Sequence, residues 1–402
     1  MPYSFDVADS ARLPWDSPQT SKRRQWEGCM KLGTIQPWIF LAIVVFTASL
    51  LASGQDVSAA TSRPPLPGGD YQPFAADSPF NIPIPANPKL DPKSAKIIAT
   101  LTGMTGHVLG SLRAAATPTH IDYTIPFYYS IPTDPAYTIY CHFNGPPPNW
   151  GDCPLEKVSV HIPAYARPEN SGHGKFPWST DHHLAVIDAT TGTEYDMWGA
   201  AQPNGKGGRL TIGWGSSGPI TSEGINIFGA TQSQFALTIG IVRSADINAG
   251  IIPHALQMAV PCASGMGVYP AAVNSDELCP KTAVAPPYYG MRVQLNLTDD
   301  EINALDAPAY AKTIFLALAH YGAFVSDTGT VDSMEFQTES GLTYTMLGLP
   351  DPWVALAQEY GIQPDYPLSN PYSAYFFPLT ANGVNVTKYL RVIAPCVTAG
   401  TC

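Results

Sequence analysis

Through residues 181–198 apolar and polar side chains alternate with a period of two, first from Leu184 to Asp188 and again from Glu194 to Trp198, with Thr190, Thr191 and Gly192 between them. Alternation on both sides of turn-forming residues predicts a β-hairpin. A four-residue loop over 189–192 sets Asp188 opposite Thr193. Asp181, His183, Ala185 and Ile187 then share a face with Glu194, Asp196 and Trp198, because side chains alternate across a strand and meet those directly opposite. A loop one residue shorter or longer would place His182 on the acidic face instead of His183, since a one-residue slip exchanges the two faces. The register of this hairpin therefore decides which histidine meets the acids.

Elsewhere the pattern predicts short strands and a few helices. Residues 119–140 hold two aromatic and β-branched strands, 157–162 alternate as a third, and 235–243 are β-like. From Asp246 the chain passes through a turn into a strand that sets His254 among apolar neighbours. Residues 323–325 form another strand, followed by a turn at Asp327, Thr328 and Gly329. A short helix is expected over 93–105. Two others are better marked. Asp306 to Pro308 cap a helix whose Ile314, Ala317, Leu318 and Tyr321 share one face before Gly322 stops it. Asp351 and Pro352 open the second, with Trp353, Leu356, Ala357 and Tyr360 on one face and Gly361 as its stop. The expected fold is mainly β, an antiparallel β-sandwich or jelly-roll-like core with a few peripheral α-helices.

Composition supports that class and narrows the setting. Only 13% of the 402 residues are charged, and there are 40 prolines and 34 glycines, as a turn-rich β protein requires. A net charge of −11 argues against nucleic acid and against an anionic membrane as partners. Residues 37–51 are an apolar run of signal-peptide length, shorter than a membrane span. The expected organisation is a polar extension over 1–29, with Met30 an alternative start; a signal peptide or signal anchor over 30–60; a Pro/Gly-rich linker over 61–77; and one large β-rich domain over 78–402. Six cysteines follow the apolar run, and proximity pairs Cys141 with Cys153, Cys262 with Cys279, and Cys396 with Cys402. That pairing and the apolar run both point to an oxidising, extracytoplasmic location.

The chemistry suggested by the hairpin is acid–base work on a sugar: titratable groups beside an aromatic plane. A His–Asp pair at a strand end can equally be a structural hydrogen bond. Asp181, His183, Asp196, Asp246 and His254 are the catalytic candidates; Trp198, Trp214 and Arg243 are the substrate-binding ones. His173, in a glycine-flanked loop, is a lesser candidate. The glycine-rich stretch 205–224 has no phosphate-binding pattern and is expected to bend around a cleft. No cofactor and no metal are expected. A metal-dependent hydrolase using His182 or His183, His254 and an aspartate is an alternative that no HExxH-type helix supports. An extracellular glycan is the expected partner. Cleavage of a glycosidic bond, by hydrolysis or elimination, stands against a non-catalytic glycan-binding or structural role, and convergence of the acids and His254 in one cleft would distinguish them.

The order of several motifs resembles a family of secreted or surface bacterial proteins with no assigned reaction. They are Asp-His-His-Leu-Ala-Val-Ile-Asp from Asp181 with Glu-Tyr-Asp-Met-Trp to Trp198; Arg243 and Asp246 with Gly250 and His254; Gly290 and Arg292; and Ala317 to Gly322 with Ser326 and Asp327. The resemblance spans roughly residues 78–361 and implies a shared site without naming its chemistry. At Asp246 this chain has aspartate where the family pattern has glutamate, one methylene shorter.

N-terminal sequencing of exported protein should give a start beyond Leu51. A mature chain that retains residues 37–51 would establish a membrane anchor instead.

Overall fold

The computed structural model describes residues 74–402 apart from 106–108, 115–122, 147–148, 171–180, 226–228, 272–278, 330–333, 366 and 368–373; His173 and the N-terminal segments fall outside the described residues. The fold is mainly β with short peripheral helices, as the alternation predicts. The hairpin sits in a four-stranded sheet of order β2–β5–β6–β8, formed by β2 (Phe127–Ser130), β5 (Leu184–Asp188), β6 (Thr193–Trp198) and β8 (Trp214–Pro219). Asp188 lies opposite Thr193 and Ala185 opposite Asp196, so the loop is the four residues 189–192. Asp188 closes it by accepting the backbone N–H groups of Thr190 and Thr191.

One face of this sheet packs on a second, three-stranded sheet of order β4–β3–β7, made of β3 (Ala136–Cys141), β4 (Ser159–His161) and β7 (Gly208–Ile212). Leu184, Val186 and Met197 meet Tyr137, Ile139, Val160, Leu210 and Ile212 in a closed apolar layer, a small sandwich. The opposite face carries Ala185 and Ile187, which pack with Phe127 on Ala230, Leu237 and Ile241. Beyond them lies a five-stranded sheet of order β12–β9–β11–β10–β14: β9 (Leu256–Val260), β10 (Arg292–Leu295), β11 (Ala323–Thr328), β12 (Glu335–Phe336) and β14 (Leu390–Ile393). A two-stranded ribbon pairs β1 (Ser111–Ala114) with β13 (Tyr375–Pro378).

The helices are α1 (Ser94–Thr105), α2 (Ser244–Ala249), α3 (Asp299–Ala304), α4 (Ala309–His320), α5 (Leu342–Thr345), α6 (Pro352–Glu359) and α7 (Pro395–Thr398). The apolar stripe of α4, Ile314, Phe315 and Leu318, is buried in the same core as Val293, Phe324 and Val325 of the large sheet. The Asp351 side chain accepts the Trp353 N–H at 2.9 Å and starts α6, whose Trp353 is fully buried. No helix of the described residues is long and apolar enough to cross a membrane.

Two features depart from the expected antiparallel core. The pairs β2–β5, β3–β7 and β9–β11 are parallel. Each joins strands far apart in sequence, which lets the chain return in the same direction. The β-like stretch 235–243 is not a strand but an irregular segment between the four- and five-stranded sheets. Its residues are apolar because they are buried, and it joins no continuous ladder: scattered backbone bonds to Gly224, Gln257, Gln337 and Glu339 serve part of it, and side chains supply further partners.

The three local disulfides are present, Cys141–Cys153, Cys262–Cys279 and Cys396–Cys402. The first closes a loop in which Gly145 and Gly151 exchange backbone hydrogen bonds of 2.8 and 2.9 Å, and Trp150 stands at its edge, 51% exposed. Replacing both Cys141 and Cys153 by serine should cost about 3 kcal/mol in denaturant unfolding and alter the fluorescence of Trp150; an unchanged unfolding midpoint would contradict this role.

Candidate functional site

Asp181 and His183 enter β5 through an irregular step. His182 takes a left-handed φ of 48°, which interrupts alternation just before the strand begins. Cross-hairpin bonds hold the step, from the Gly199 N–H to the Asp181 carbonyl at 2.7 Å and from the Ala200 N–H to the His182 carbonyl at 3.0 Å. Burial lowers the His182 pKa, which keeps that ring neutral, and its Nε2 has no hydrogen-bond partner among the described residues.

His183 is bound on both sides. Its Nδ1 lies 3.0 Å from Glu169 Oε1 and its Nε2 3.3 Å from the Ala230 carbonyl. Both nitrogens face acceptors, so the ring is an imidazolium that donates twice. Burial alone would lower its pKa; the charges of Glu169, Asp181 and Asp327 outweigh that and raise it to about 9. Glu169 is itself anchored: its N–H donates to the His183 carbonyl at 3.0 Å and its Oε1 accepts the His183 N–H at 3.2 Å. The Tyr128 hydroxyl, from β2, donates to the Arg167 carbonyl at 3.0 Å and fixes the approach to Glu169. Glu169 is fully buried, burial raises its pKa, and Oε2 has no partner among the described residues.

The five-stranded sheet supplies a third carboxyl. The pairing of β11 with β9 slips between Val325 and Asp327, a bulge that re-aims the strand at this point. Asp327 stands within electrostatic reach of Asp181 and His183, and burial, then the Asp181 charge, raises its pKa to about 7. The backbone N–H groups of Thr328 and Gln232 donate to it, and Gln232 is held in turn by the hydroxyls of Tyr289 and Thr328. Glu169, Asp181 and His183 place one ligand-type atom each within 4.8 Å of one another, the only such trio of acids, histidines or cysteines among the described residues.

Trp198 links this cluster to an aromatic surface. Its indole N–H donates to Asp181 Oδ1 at 3.2 Å, and its ring lies 5.6 Å from Trp150 and 6.0 Å from Phe143. Phe143 and Trp150 stack at 4.2 Å, and Trp214 lies 5.8 Å from Trp150. Gly213 makes room for Trp198, since a Cβ there would fall 2.6 Å from the indole ring.

The other candidates lie apart from this cluster. Asp196, expected beside His183, shares its face with Glu194 but turns to the irregular segment. Its Oδ2 accepts the Leu237 N–H at 2.8 Å, while Glu194 accepts the Thr238 N–H at 3.2 Å and hydroxyl at 2.6 Å. Burial, and for Asp196 the charge of Glu194, raise both pKa values. Arg243 grips Asp246 through Nε at 2.8 Å and Nη2 at 2.6 Å, and His254 Nε2 is 3.9 Å from the same carboxylate. Nearby, Glu339, with a pKa raised by burial to about 7, accepts from Ser244 and from the Tyr344 hydroxyl. Glu169, Glu339 and Tyr344 lie in stretches with no periodic signal, and Asp327 sat in what looked like a turn; the sequence reading selected none of them.

Comparison with family models, curated proteins and solved structures finds no match for this chain.

The buried carboxyls of the core and His183 titrate with one sign, opposite to that of His182. Asp327, Glu339 and Asp351 hold protons up to about pH 7 and His183 up to about pH 9 in the folded chain, as do Glu169, Glu194 and Asp196 above the ordinary carboxyl range. The unfolded chain releases those protons earlier, from about pH 4 for carboxyls and 6.5 for histidine. Stability must therefore fall as pH rises through that window, with His182 a smaller opposing contribution. The melting temperature should be higher at pH 5 than at pH 8.5. Asp196→Asn, whose amide can donate to Glu194 while its oxygen still accepts from Leu237, should flatten the slope. A melting temperature that climbs from pH 5 to 8.5 would contradict the assignment.

Proposed function

We propose that this protein is an exported carbohydrate-active enzyme that cleaves a glycosidic bond in an extracellular polysaccharide, by hydrolysis or elimination. The observation that carries the reading is the hydrogen bond from Trp198 to Asp181, which joins a buried acid–histidine cluster to a partly exposed aromatic surface. Pyranose rings stack on such surfaces through their apolar faces, and bond cleavage needs a proton donor beside a charged carboxylate. Asp327, which keeps its proton to about pH 7, has the character of the general acid. Asp181 is the partner carboxylate, and the His183 imidazolium, held by Glu169, supplies positive charge beside them. In this reading Trp150, Trp198 and Trp214 hold the sugar, whereas Asp196, Asp246, His254 and Arg243 maintain the scaffold. Three disulfides suit secretion.

The half-exposed Trp150 also suits a non-catalytic glycan-binding role, and variant kinetics separate the two. Against a panel of neutral and acidic polysaccharides, Asp327→Asn and His183→Ala should each lower kcat by about 10²-fold or more. His182→Ala should act mainly on stability. Binding without reducing-end or unsaturated products, in the unaltered protein, would establish the binding role; full activity of both site variants would reject the cluster.

A further inference from the structure

We infer that Glu169, Asp181 and His183 form a binding site for a divalent cation, of the kind that takes imidazole together with carboxylate, such as Mn2+ or Zn2+. The inference goes beyond the glycan reading and stands on the cluster's geometry alone. Three ligand-type atoms lie within 4.8 Å of one another on two segments, the loop carrying Glu169 and the irregular step into β5. The His183 Nδ1 to Glu169 Oε1 separation of 3.0 Å is also the distance between neighbouring ligands of an octahedral ion with bonds of about 2.1 Å. Imidazole with two carboxylates is a donor set suited to first-row cations rather than to thiolate-seeking or all-oxygen ones.

A second, independent observation points to a ligand. Glu169 Oε2 is a carboxylate oxygen on a fully buried side chain, with no donor among the described residues. Such an oxygen is costly to bury unless something positive meets it. Two carboxyl groups, Glu169 and Asp181, are set against one imidazole in the trio. A divalent cation would balance them and displace the proton from His183 Nδ1, which is released to solvent. The other buried acids differ: Asp246 has a bidentate arginine, and Asp196, whose Oδ1 is also without a partner among the described residues, sits beside Glu194 with no histidine at hand to complete a ligand set. The Trp198 indole donates to one Asp181 oxygen and leaves the second for the ion, an outer contact that orients the ligand.

The test is calorimetric titration and thermal melting of chelator-treated, extensively dialysed full protein with MnCl2 and, separately, ZnCl2. One equivalent of at least one of these ions should bind, and an excess about a hundredfold above Kd should raise the melting temperature by roughly 5 °C. Glu169→Gln and Asp181→Asn should each weaken binding about tenfold or more. Asp299→Asn, which breaks the exposed Asp299–His320 pair, should leave it unchanged. Asp181 is partly exposed, so its variant should keep the fold, checked by circular dichroism, even where the Glu169 variant does not. No binding of either ion at millimolar concentration, or equal binding by Asp181→Asn, overturns the inference. Cation binding by a protein inactive on every glycan supports the site and removes the enzyme reading; glycan cleavage by protein that binds neither ion does the reverse.

Discussion

Two buried carboxyls on β6 hold the seam on which the site depends. Residues 235–242 lie between the hairpin sheet and the five-stranded sheet without joining a continuous ladder with either; scattered backbone bonds serve some of their groups, and any left without a partner there would cost about 1–3 kcal/mol each. Glu194 and Asp196 accept the N–H groups of Thr238 and Leu237 from one side. From the other, Gln257 of β9 donates to the carbonyls of Ala236 and Ile239 at 2.6 and 2.5 Å. Side chains thus complete for this segment what backbone bonds to Gly224, Gln257 and Gln337 begin. Ala230, Leu237 and Ile241 pack on Ala185 and Ile187 as a result, and the Ala230 carbonyl reaches His183.

The candidate site stands at that seam and draws on both sides of it. The hairpin side brings Asp181, His183 and Trp198, and the large sheet brings Asp327 through the bulge in β11. The electrostatics follow from the assembly: carboxyls buried beside one another hold protons or recruit positive charge, because the interior offers little water to spread their charge. Groups that change protonation near neutral pH, beside a surface suited to sugar rings, are what proton transfer to a glycosidic oxygen uses. The scaffold carboxyls are buried by the same rule but are engaged away from the tryptophan surface, Glu194 and Asp196 with Thr238 and Leu237 and Asp246 with Arg243.

The hairpin register was legible because alternation and turn chemistry agree on a four-residue loop; the left-handed step at His182, which lies ahead of the strand, was not. Proximity likewise was enough for the three disulfides, and the Asp351 cap for α6, whereas α4 begins at Ala309 without the expected side-chain cap, because Asp306 pairs with Asn382 instead. The Thr298–Glu301 capping box of α3 was equally present in the sequence and went unread. Other parts left no local trace. Asp196 carries the same signal as a catalytic acid on a strand, and only its partners Leu237 and Glu194 show that it holds a backbone. Asp327 follows an apolar strand and precedes Gly329, which looks like a turn until β9 draws it into a parallel ladder with a bulge. Glu169 sits where no periodicity exists, and its role comes from the fold bringing Tyr128 and His183 to it. Asp246 and His254 do lie close together, but Asp246 is gripped by Arg243 rather than joined to the hairpin acids.

The most direct test of the central claim, that the seam cluster and the tryptophan surface form one site, is a crystal structure of the Asp327→Asn protein with a bound oligosaccharide. The account places a sugar ring on Trp198 or Trp150, with the glycosidic oxygen within about 3.2 Å of the residue 327 side chain. A saccharide held only on the outer face of Trp150, or away from the tryptophans altogether, would contradict it.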